Sequence, residues 1–321
     1  MKIAITGANG FVGSNLLRYY QDLGHETVAI IRNTATLPAT GAIIREVDYS
    51  SIDSIKAALS DVDVLIHNAG KTKALNHEDM LAANVGITQR VVAAVNASEH
   101  PIHLILISTQ AASRPSVHGI PVQESDPPAP VTIYGKSKQR AEKLVQNRCI
   151  KPWTIIRPCS VYGAGDRDFL ELFKLIKLGL VVQIGHEPRE INMIHVRQLA
   201  EFIALTMQNP AACSQIFFAS DTSVYTQAEI ASIIAEVMDR QVQPLVLPEA
   251  VAILAFHAAD LYGRITHREM PMNREKLKEI LAPGWVSSPT KAKQLLGWNP
   301  QTSIKDLIQE TYQWYIDSGW L

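Results

Sequence analysis

Eight residues near the start of the chain, TGANGFVG at 6–13, constrain its fold more than any other run. Gly7, Gly10 and Gly13 follow the apolar run Lys2-Ile3-Ala4-Ile5 and precede Phe11-Val12 and a helix-length segment over 11–23. Strand, glycine turn, helix is the context in which such a loop cradles phosphate. Without Cβ atoms the backbone can approach a pyrophosphate, whose charge then rests on amides at the helix N-terminus. A plain strand-to-helix turn needs one glycine rather than three in register. The spacing is G-x-x-G-x-x-G, not the G-x-G-x-x-G of the common dinucleotide fingerprint.

Beyond the loop, apolar β-branched runs recur at 2–6, 26–31, 42–47, 62–67, 102–108 and 153–157. Helix-length segments lie between most of them, at about 11–23, 51–60, 76–98 and 134–148. Continuous apolar strands alternating with helices predict an α/β fold, a doubly wound parallel sheet covered on both faces. The stretch 113–133 carries five prolines and reads as a loop over the active-site edge. Past residue 164 the pattern turns mostly helical, at 167–179, 196–208, 226–238, 249–262, 288–296 and 304–316. The expected division is a dinucleotide-binding domain over 1–163 and a smaller, mostly helical substrate domain over 164–321. A segment near 190–220 is able to return to the first domain, and the substrate lies in the cleft between the two.

Composition narrows the partners. In the 321 residues, 30 basic side chains face 31 acidic ones, which favours neither nucleic acid nor an anionic membrane surface. The longest apolar stretch, Ala250 to Ala259, is interrupted by His257 and is too short to span a bilayer. The N-terminus begins with a strand rather than a cleavable leader, so a soluble cytoplasmic protein is expected. Cys149, Cys159 and Cys213 have no metal-ligand spacing and read as reduced thiols, and no metal is expected.

Tyr134 and Lys138 stand four apart in IYGKSK, hence on one face of a helix. An ammonium beside a phenol favours phenolate, which is expected to pull the Tyr134 pKa down toward neutrality. Such a tyrosine gives a proton to a carbonyl oxygen or takes one from an alcohol. The strand over 102–108 ends in Ser108-Thr109, and ligands of doubly wound sheets sit beyond the carboxyl ends of strands. A hydroxyl there can donate to the substrate oxygen. Asp48, followed by Tyr49, comes after the third strand and either accepts from an adenine amino group or caps a helix. Asn68, Ala69 and Gly70 after the fourth strand bring backbone near the cofactor ribose. The second strand ends in Arg32-Asn33 with no acid; Arg32 can pair with a ribose 2′-phosphate, which favours NADP, with NAD the alternative.

TGANGFVG, HNAG at 67–70, Ser108-Thr109, YGKSK and RPCSVYG at 157–163 together resemble the short-chain dehydrogenase/reductase superfamily. Length and the RPxxVYG element point to its extended, epimerase/dehydratase-like branch with a Rossmann fold. LLGWNPQTSIKDLIQETYQWY at 295–315 resembles that branch's C-terminal segment. The resemblance implies Thr109 rather than Ser108 as the catalytic hydroxyl, Tyr134 as proton donor or acceptor, and Lys138 on the nicotinamide ribose. It also implies Phe11, Val12 and Ser108 near the cofactor, and Pro158 and Val161 against the nicotinamide ring. Asn84 matches a family asparagine, with a structural role equally open. Gln110-Ala111 stands where related dehydratases carry Asp-Glu, and INMIHVRQLA at 191–200 lacks the Arg and paired Asp residues of sugar-nucleotide enzymes. The nearest likeness is to the 3β-hydroxysteroid dehydrogenase and dihydroflavonol reductase side. The expected activity is an NAD(P)-dependent oxidoreductase interconverting a secondary alcohol and a ketone. A nucleotide-sugar epimerase and a non-catalytic dinucleotide sensor are the alternatives. A homodimer is expected on the helices at about 84–98 and 134–148, whose apolar residues exceed one buried stripe.

Overall fold

The computed structural model describes residues 1–32, 41–74, 76–266, 270 and 272–321; Asn33 lies outside them. The first half alternates strand and helix: β1 (Lys2–Thr6), α1 (Phe11–Asp22), β2 (Glu26–Ile31), β3 (Ile43–Glu46), α2 (Ile52–Ala58), β4 (Val64–His67), α3 (His77–Leu81), α4 (Ile87–Asn96), β5 (His103–Ile107), α5 (Ile133–Arg148) and β6 (Trp153–Pro158). The helix expected over 76–98 is α3 and α4 joined by a π-helical turn, Ala82–Gly86. Then come β7 (Ser160–Tyr162), α6 (Arg167–Lys177), β8 (Leu180–Ile184), β9 (Glu190–Ile191), β10 (Met193–His195), α7 (Val196–Gln208) and β11 (Gln215–Ala219). The remainder is β12 (Tyr225–Thr226), α8 (Gln227–Val237), β13 (Gln243–Leu247), α9 (Glu249–Thr266), α10 (Arg274–Ile280), β14 (Gly284–Trp285), α11 (Thr290–Leu296) and α12 (Ile304–Asp317).

Seven strands form one parallel sheet in the order β3-β2-β1-β4-β5-β6-β11. The chain leaves β1 toward one edge, then restarts on its other side at β4, so the switch point lies beside the glycine loop. Strands here are apolar on both sides because both faces are covered. Ile3 and Ile5 pack with Leu16 and Tyr20 of α1 on one face. Ala4, between them, belongs to the opposite core with Val91 and Val95 of α4 and Ala141 of α5. This is the doubly wound α/β architecture.

Four features depart from the periodicity reading or refine it. The later half is not helical throughout: β11 joins the central sheet beside β6, and α7 packs on α1, where the Tyr20 hydroxyl donates to the Ala200 carbonyl at 3.0 Å. A third core, with Tyr162, Phe169, Phe173, Ile234 and Tyr315, gathers α6, α8 and α12. On α4 and α5, Val91, Val92, Val95, Ala141 and Val145 are buried against the sheet and α2, while Ile87 and Leu144 stay partly exposed. The proline-rich stretch is stitched to the C-terminal segment by Ser116 and Val122, whose amides donate to the carbonyls of Gly284 and Val286. From it Glu124 accepts from the Phe218 amide at 2.9 Å, while Lys291 donates to the Ile216 carbonyl at 2.8 Å. Side chains thus occupy the open edge of β11.

Candidate active site

The expected site residues lie along the carboxyl edge of the sheet, from β3 to β6. Asp48 and Tyr49 follow β3, Arg32 follows β2, the glycine loop follows β1, residues 68–70 follow β4, Thr109 follows β5 and Pro158 ends β6. Five strand spacings of about 4.8 Å make this line roughly 24 Å long.

At the loop the glycines are sterically required. Gly7 has φ +67°, and a Cβ on Gly13 would stand 2.2 Å from the Gly7 carbonyl oxygen. Helix α1 starts at Gly10 with no side-chain cap and no acidic residue in its first turn. Its leading amides are thus not capped by a side chain, which fits a dinucleotide pyrophosphate. Next to the loop, the Thr6 hydroxyl accepts from the amides of Asn68 and Ala69 at 3.1 and 3.0 Å. It also meets His67 Nδ1 at 2.8 Å, while His67 Nε2 meets the Thr88 hydroxyl at 3.0 Å. Thr88 spends its own proton on the Asn84 carbonyl at 2.6 Å. That assigns the tautomer: Nε2–H of His67 donates to Thr88, and Nδ1 accepts from Thr6. Burial pushes His67 down to about 3, so it stays neutral. The amides of Asn68 and Ala69 therefore serve the fold.

Asn84 is a clamp. Its Oδ1 accepts from the Lys71 amide at 2.8 Å, and its Nδ2 donates to the Lys71 carbonyl and to the Ser137 hydroxyl, both at 2.9 Å. Ser137 in turn donates to the Tyr134 carbonyl at 2.7 Å. A Cβ on Gly70 would lie 2.6 Å from Asn84 Oδ1, so the loop after β4 is held tight against this side chain.

Thr109 and Tyr134 are brought together by a glycine. A Cβ on Gly135 would sit 2.2 Å from the Ala111 carbonyl oxygen, so only glycine lets the start of α5 press on the turn after β5. There the side chain of Thr109 lies near the Tyr134 phenol and accepts from the Ala111 amide at 3.2 Å. The Tyr134 pKa moves opposite to expectation, up to about 12: burial is the largest cause, Thr109 opposes it, and Glu279 of α10 adds to it. Lys138 does not reverse this, because its ammonium donates to the Ile107 carbonyl at 2.7 Å. Burial lowers Lys138 to about 8, against the pull of Glu142 one turn on.

Ser108 is turned away from this pair. Its hydroxyl donates to Glu142 Oε1 at 2.5 Å, and the same carboxylate accepts Arg157 Nε at 2.9 Å and Nη2 at 2.7 Å. Glu142 and Arg157 are buried, so this cluster locks α5 onto the ends of β5 and β6. Glu142 and Thr88 lie in none of the motifs noted in the sequence, and Arg157, Gly135 and Thr6 lie in RPCSVYG, YGKSK and TGANGFVG without a role of their own there.

A cleft of about 660 Å³ opens over these groups. Phe11, Val12, Asn68, Gly70, Asn84, Ser108, Thr109, Tyr134, Lys138, Pro158 and Val161 line one end. The other end is largely apolar, with Phe169, Leu172, Val181, Ile191, Met193 and Ile230. Asp166, at its margin, caps α6 through the Asp168 amide, and burial raises it to about 6. Cys159 also lines the cleft; burial pushes its thiol up, away from thiolate chemistry. Arg32, Asp48 and Tyr49 lie outside this cleft, at the far end of the line. Arg32 is exposed, and its charge reaches the buried phenol of Tyr49, whose hydroxyl donates to the Ile30 carbonyl at 3.3 Å. Asp48 does not cap α2; Ser51 does, accepting from the Ser54 amide. The Asp48 carboxylate instead accepts from the Ser50 amide and hydroxyl, which hold it below the usual carboxylate range. Among the described residues no group of three His, Cys, Asp or Glu side chains could hold a metal.

The model of the NAD dependent epimerase/dehydratase family matches residues 3–217, the part of the chain that carries the glycine loop, Tyr134 and Lys138. The chain belongs to that family. Among curated relatives, the family member is 26% identical to a ceramide reductase of Caulobacter vibrioides, covering 99% of this chain and 96% of the relative. It is 22% identical to a UDP-glucose 4-epimerase of Vibrio cholerae, covering 99% and 96%. Among solved structures, MoeE5 in complex with UDP-glucuronic acid and NAD superposes with a TM-score of 0.76 at 20% identity, covering 99% of this chain and all of that one. That last likeness is one of fold. Asn192, within the run INMIHVRQLA, is structural: its Oδ1 accepts from the Ser287 amide and its Nδ2 donates to the Ser223 carbonyl.

Proposed function

We propose that this protein is an NAD(P)-dependent oxidoreductase that interconverts a secondary alcohol and a ketone, and that the body of its substrate is apolar. The carrying observation is the pairing of Thr109 with Tyr134 at the floor of a cleft whose far end is lined by aliphatic and aromatic side chains. The glycine loop and α1 N-terminus would hold the pyrophosphate, and the exposed Arg32 supports NADP over NAD. When bound, the nicotinamide would supply or accept the hydride. In the reducing direction Thr109 donates to the substrate oxygen and Tyr134, protonated at neutral pH, delivers its proton to that oxygen. Lys138, anchored on Ile107, keeps a positive charge beneath the developing alkoxide.

Likeness to UDP-sugar enzymes favours a second reading, redox-neutral epimerisation of a nucleotide sugar. With the α1 N-terminus taken by the cofactor pyrophosphate, a sugar-nucleotide diphosphate needs other positive groups, and the cleft supplies few cations. Among the described lining residues Lys276 is paired with Glu279, Lys138 is committed to Ile107, and Lys71 alone is outside such a contact. Asp166 and Asp168 stand on the same wall. A pure dinucleotide sensor would have no use for the Thr109–Tyr134 pair. Incubation with NADPH and a panel of alkanones and UDP-sugars separates the three. Consumption of NADPH with a ketone supports the proposal, whereas isomerised sugar without net NADPH loss, or cofactor binding alone, overturns it.

A further inference from the structure

Tyr134 sits in a helix start that is weak by its own sequence. Helix α5 opens Ile133-Tyr134-Gly135-Lys136, with no acidic residue in its first turn. Gly135, which the close contact with Ala111 requires, is among the poorest residues for holding a helical turn. Local side chains support the turn at two points. The Thr132 hydroxyl accepts from the Gly135 amide at 3.0 Å, and the Ser137 hydroxyl donates to the Tyr134 carbonyl at 2.7 Å. Neither takes up the amide of Ile133, the residue just before the proposed proton donor.

That amide finds its acceptor far along the chain. It donates to Glu275 Oε2 of α10 at 2.6 Å, across 142 residues. The carboxylate thus stands where a helix N-terminus favours negative charge, and supplies the acid that the first turn of α5 lacks. Its other oxygen accepts from Lys278 at 2.5 Å. Glu279 lies one turn along the same face of α10, and its charge reaches the Tyr134 phenol. The adjacent positions Lys276 and Ile280 line the cleft. One short helix therefore touches both the start of α5 and the space a substrate would occupy.

Helix α10 is itself held at both ends by neighbours other than α5. Asn273 caps it, accepting from the Lys276 amide at 2.8 Å, and Arg274 pairs with Asp260 of α9 at 3.4 Å. At the other end Trp285 Nε1 donates to the Glu279 carbonyl at 2.9 Å, while the Trp285 carbonyl accepts from the Asn192 amide at 2.9 Å. Glu275 holds α5 from a fixed base.

We propose that Glu275 is a positioning residue for Tyr134: its carboxylate pins the first turn of α5, so that the phenol keeps its place beside Thr109. The anchoring rests on the hydrogen bond to Ile133; its effect on turnover rests on the oxidoreductase function proposed above. A reacting group misplaced by about 1 Å can lose about a hundredfold in rate, so even partial loosening of this turn is measurable.

Glu275→Ala and Glu275→Gln, made in the full chain, test this with NADPH and a ketone and by amide hydrogen exchange. Glu275→Ala is expected to lower kcat by about tenfold while KM and NADPH affinity stay within about twofold. Exchange should rise over 130–137 and stay unchanged over 102–108 and 153–158. Glu275→Gln, which still offers Ile133 an acceptor, should recover most of kcat and of the protection. An Ala variant with wild-type kcat overturns the proposal, even if its melting temperature falls, since the role would then be structural only. So does a raised KM at constant kcat, which would place Glu275 on the substrate, or a Gln variant as impaired as Ala. If exchange responds as expected but no form of the protein reduces any ketone, the anchoring stands and the proposed reaction fails.

Discussion

The Lys138 ammonium donates to the Ile107 carbonyl at 2.7 Å, tying the catalytic-face helix to the last peptide of β5. Thr109 lies two residues on, and its side chain meets Tyr134. One lysine thus positions both partners of the proposed proton transfer, by holding α5 against the strand that carries the threonine.

Tyr134→Phe removes the proton donor and little else. Turnover with NADPH and a ketone is expected to fall by about 10²–10⁴, the range for loss of a general acid. Cofactor affinity, measured by nucleotide fluorescence, should stay within twofold. Undiminished turnover would end the proposed mechanism.

Lys138 places the pH dependence. Its pKa is lowered to about 8 from 10.5, so between those values the unfolded chain binds more protons than the folded one. Stability from this group accordingly rises as pH goes from about 8 to 10.5, and the burden of a buried ammonium is fully present below 8. Activity runs the other way: ketone reduction should decline above pH about 8 as the charge beneath the alkoxide is lost. Tyr134, up at about 12, remains protonated across that window. Urea unfolding at several pH values, wild type against Lys138→Met, checks the first part. A variant with the same rise between pH 8 and 10.5 would contradict it.

Gly135→Ala forces a methyl toward the Ala111 carbonyl oxygen, 2.2 Å from an ideal Cβ. Relief requires α5 to back away from the turn after β5. We expect a loss of about 1–3 kcal/mol in stability, typical of overpacking. A disproportionate fall in kcat with NADPH affinity preserved should accompany it, because Tyr134 then moves off Thr109. Unfolding curves and steady-state kinetics identical to the wild type would show that the contact is relieved elsewhere.

Arg32→Ala should erase most of a preference for NADPH over NADH while leaving NADH binding nearly unchanged. A charged hydrogen bond of this kind contributes about 1.5–3 kcal/mol, at least tenfold in the affinity ratio. Equal affinities for the two nucleotides in the wild type would refute the assignment.

Much of the fold was legible because its signals are local. A glycine needed at positive φ, an apolar run buried on two faces, and Tyr and Lys one helical turn apart are each written in a few consecutive residues. Hence the strand–helix alternation, the loop TGANGFVG and the Tyr134–Lys138 spacing could be read directly from the chain, whereas the preference for Thr109 over Ser108 came from the family resemblance. What each side chain does depends on residues distant in sequence, and only the tertiary structure decided it. Ser108 is claimed by Glu142, 34 residues away, and Lys138 by Ile107, 31 away. The Tyr134 pKa rises because burial outweighs a lysine that points elsewhere, a balance no spacing reveals. Helical periodicity marked α4 and α5 as broadly apolar. The sheet and α2 bury most of those positions, whereas among the described residues Val251, Leu254, Leu261, Tyr262 and Ile265 of α9 stay exposed. Amphipathic pattern records that a face must be buried; the packing of the whole chain determines which faces already are.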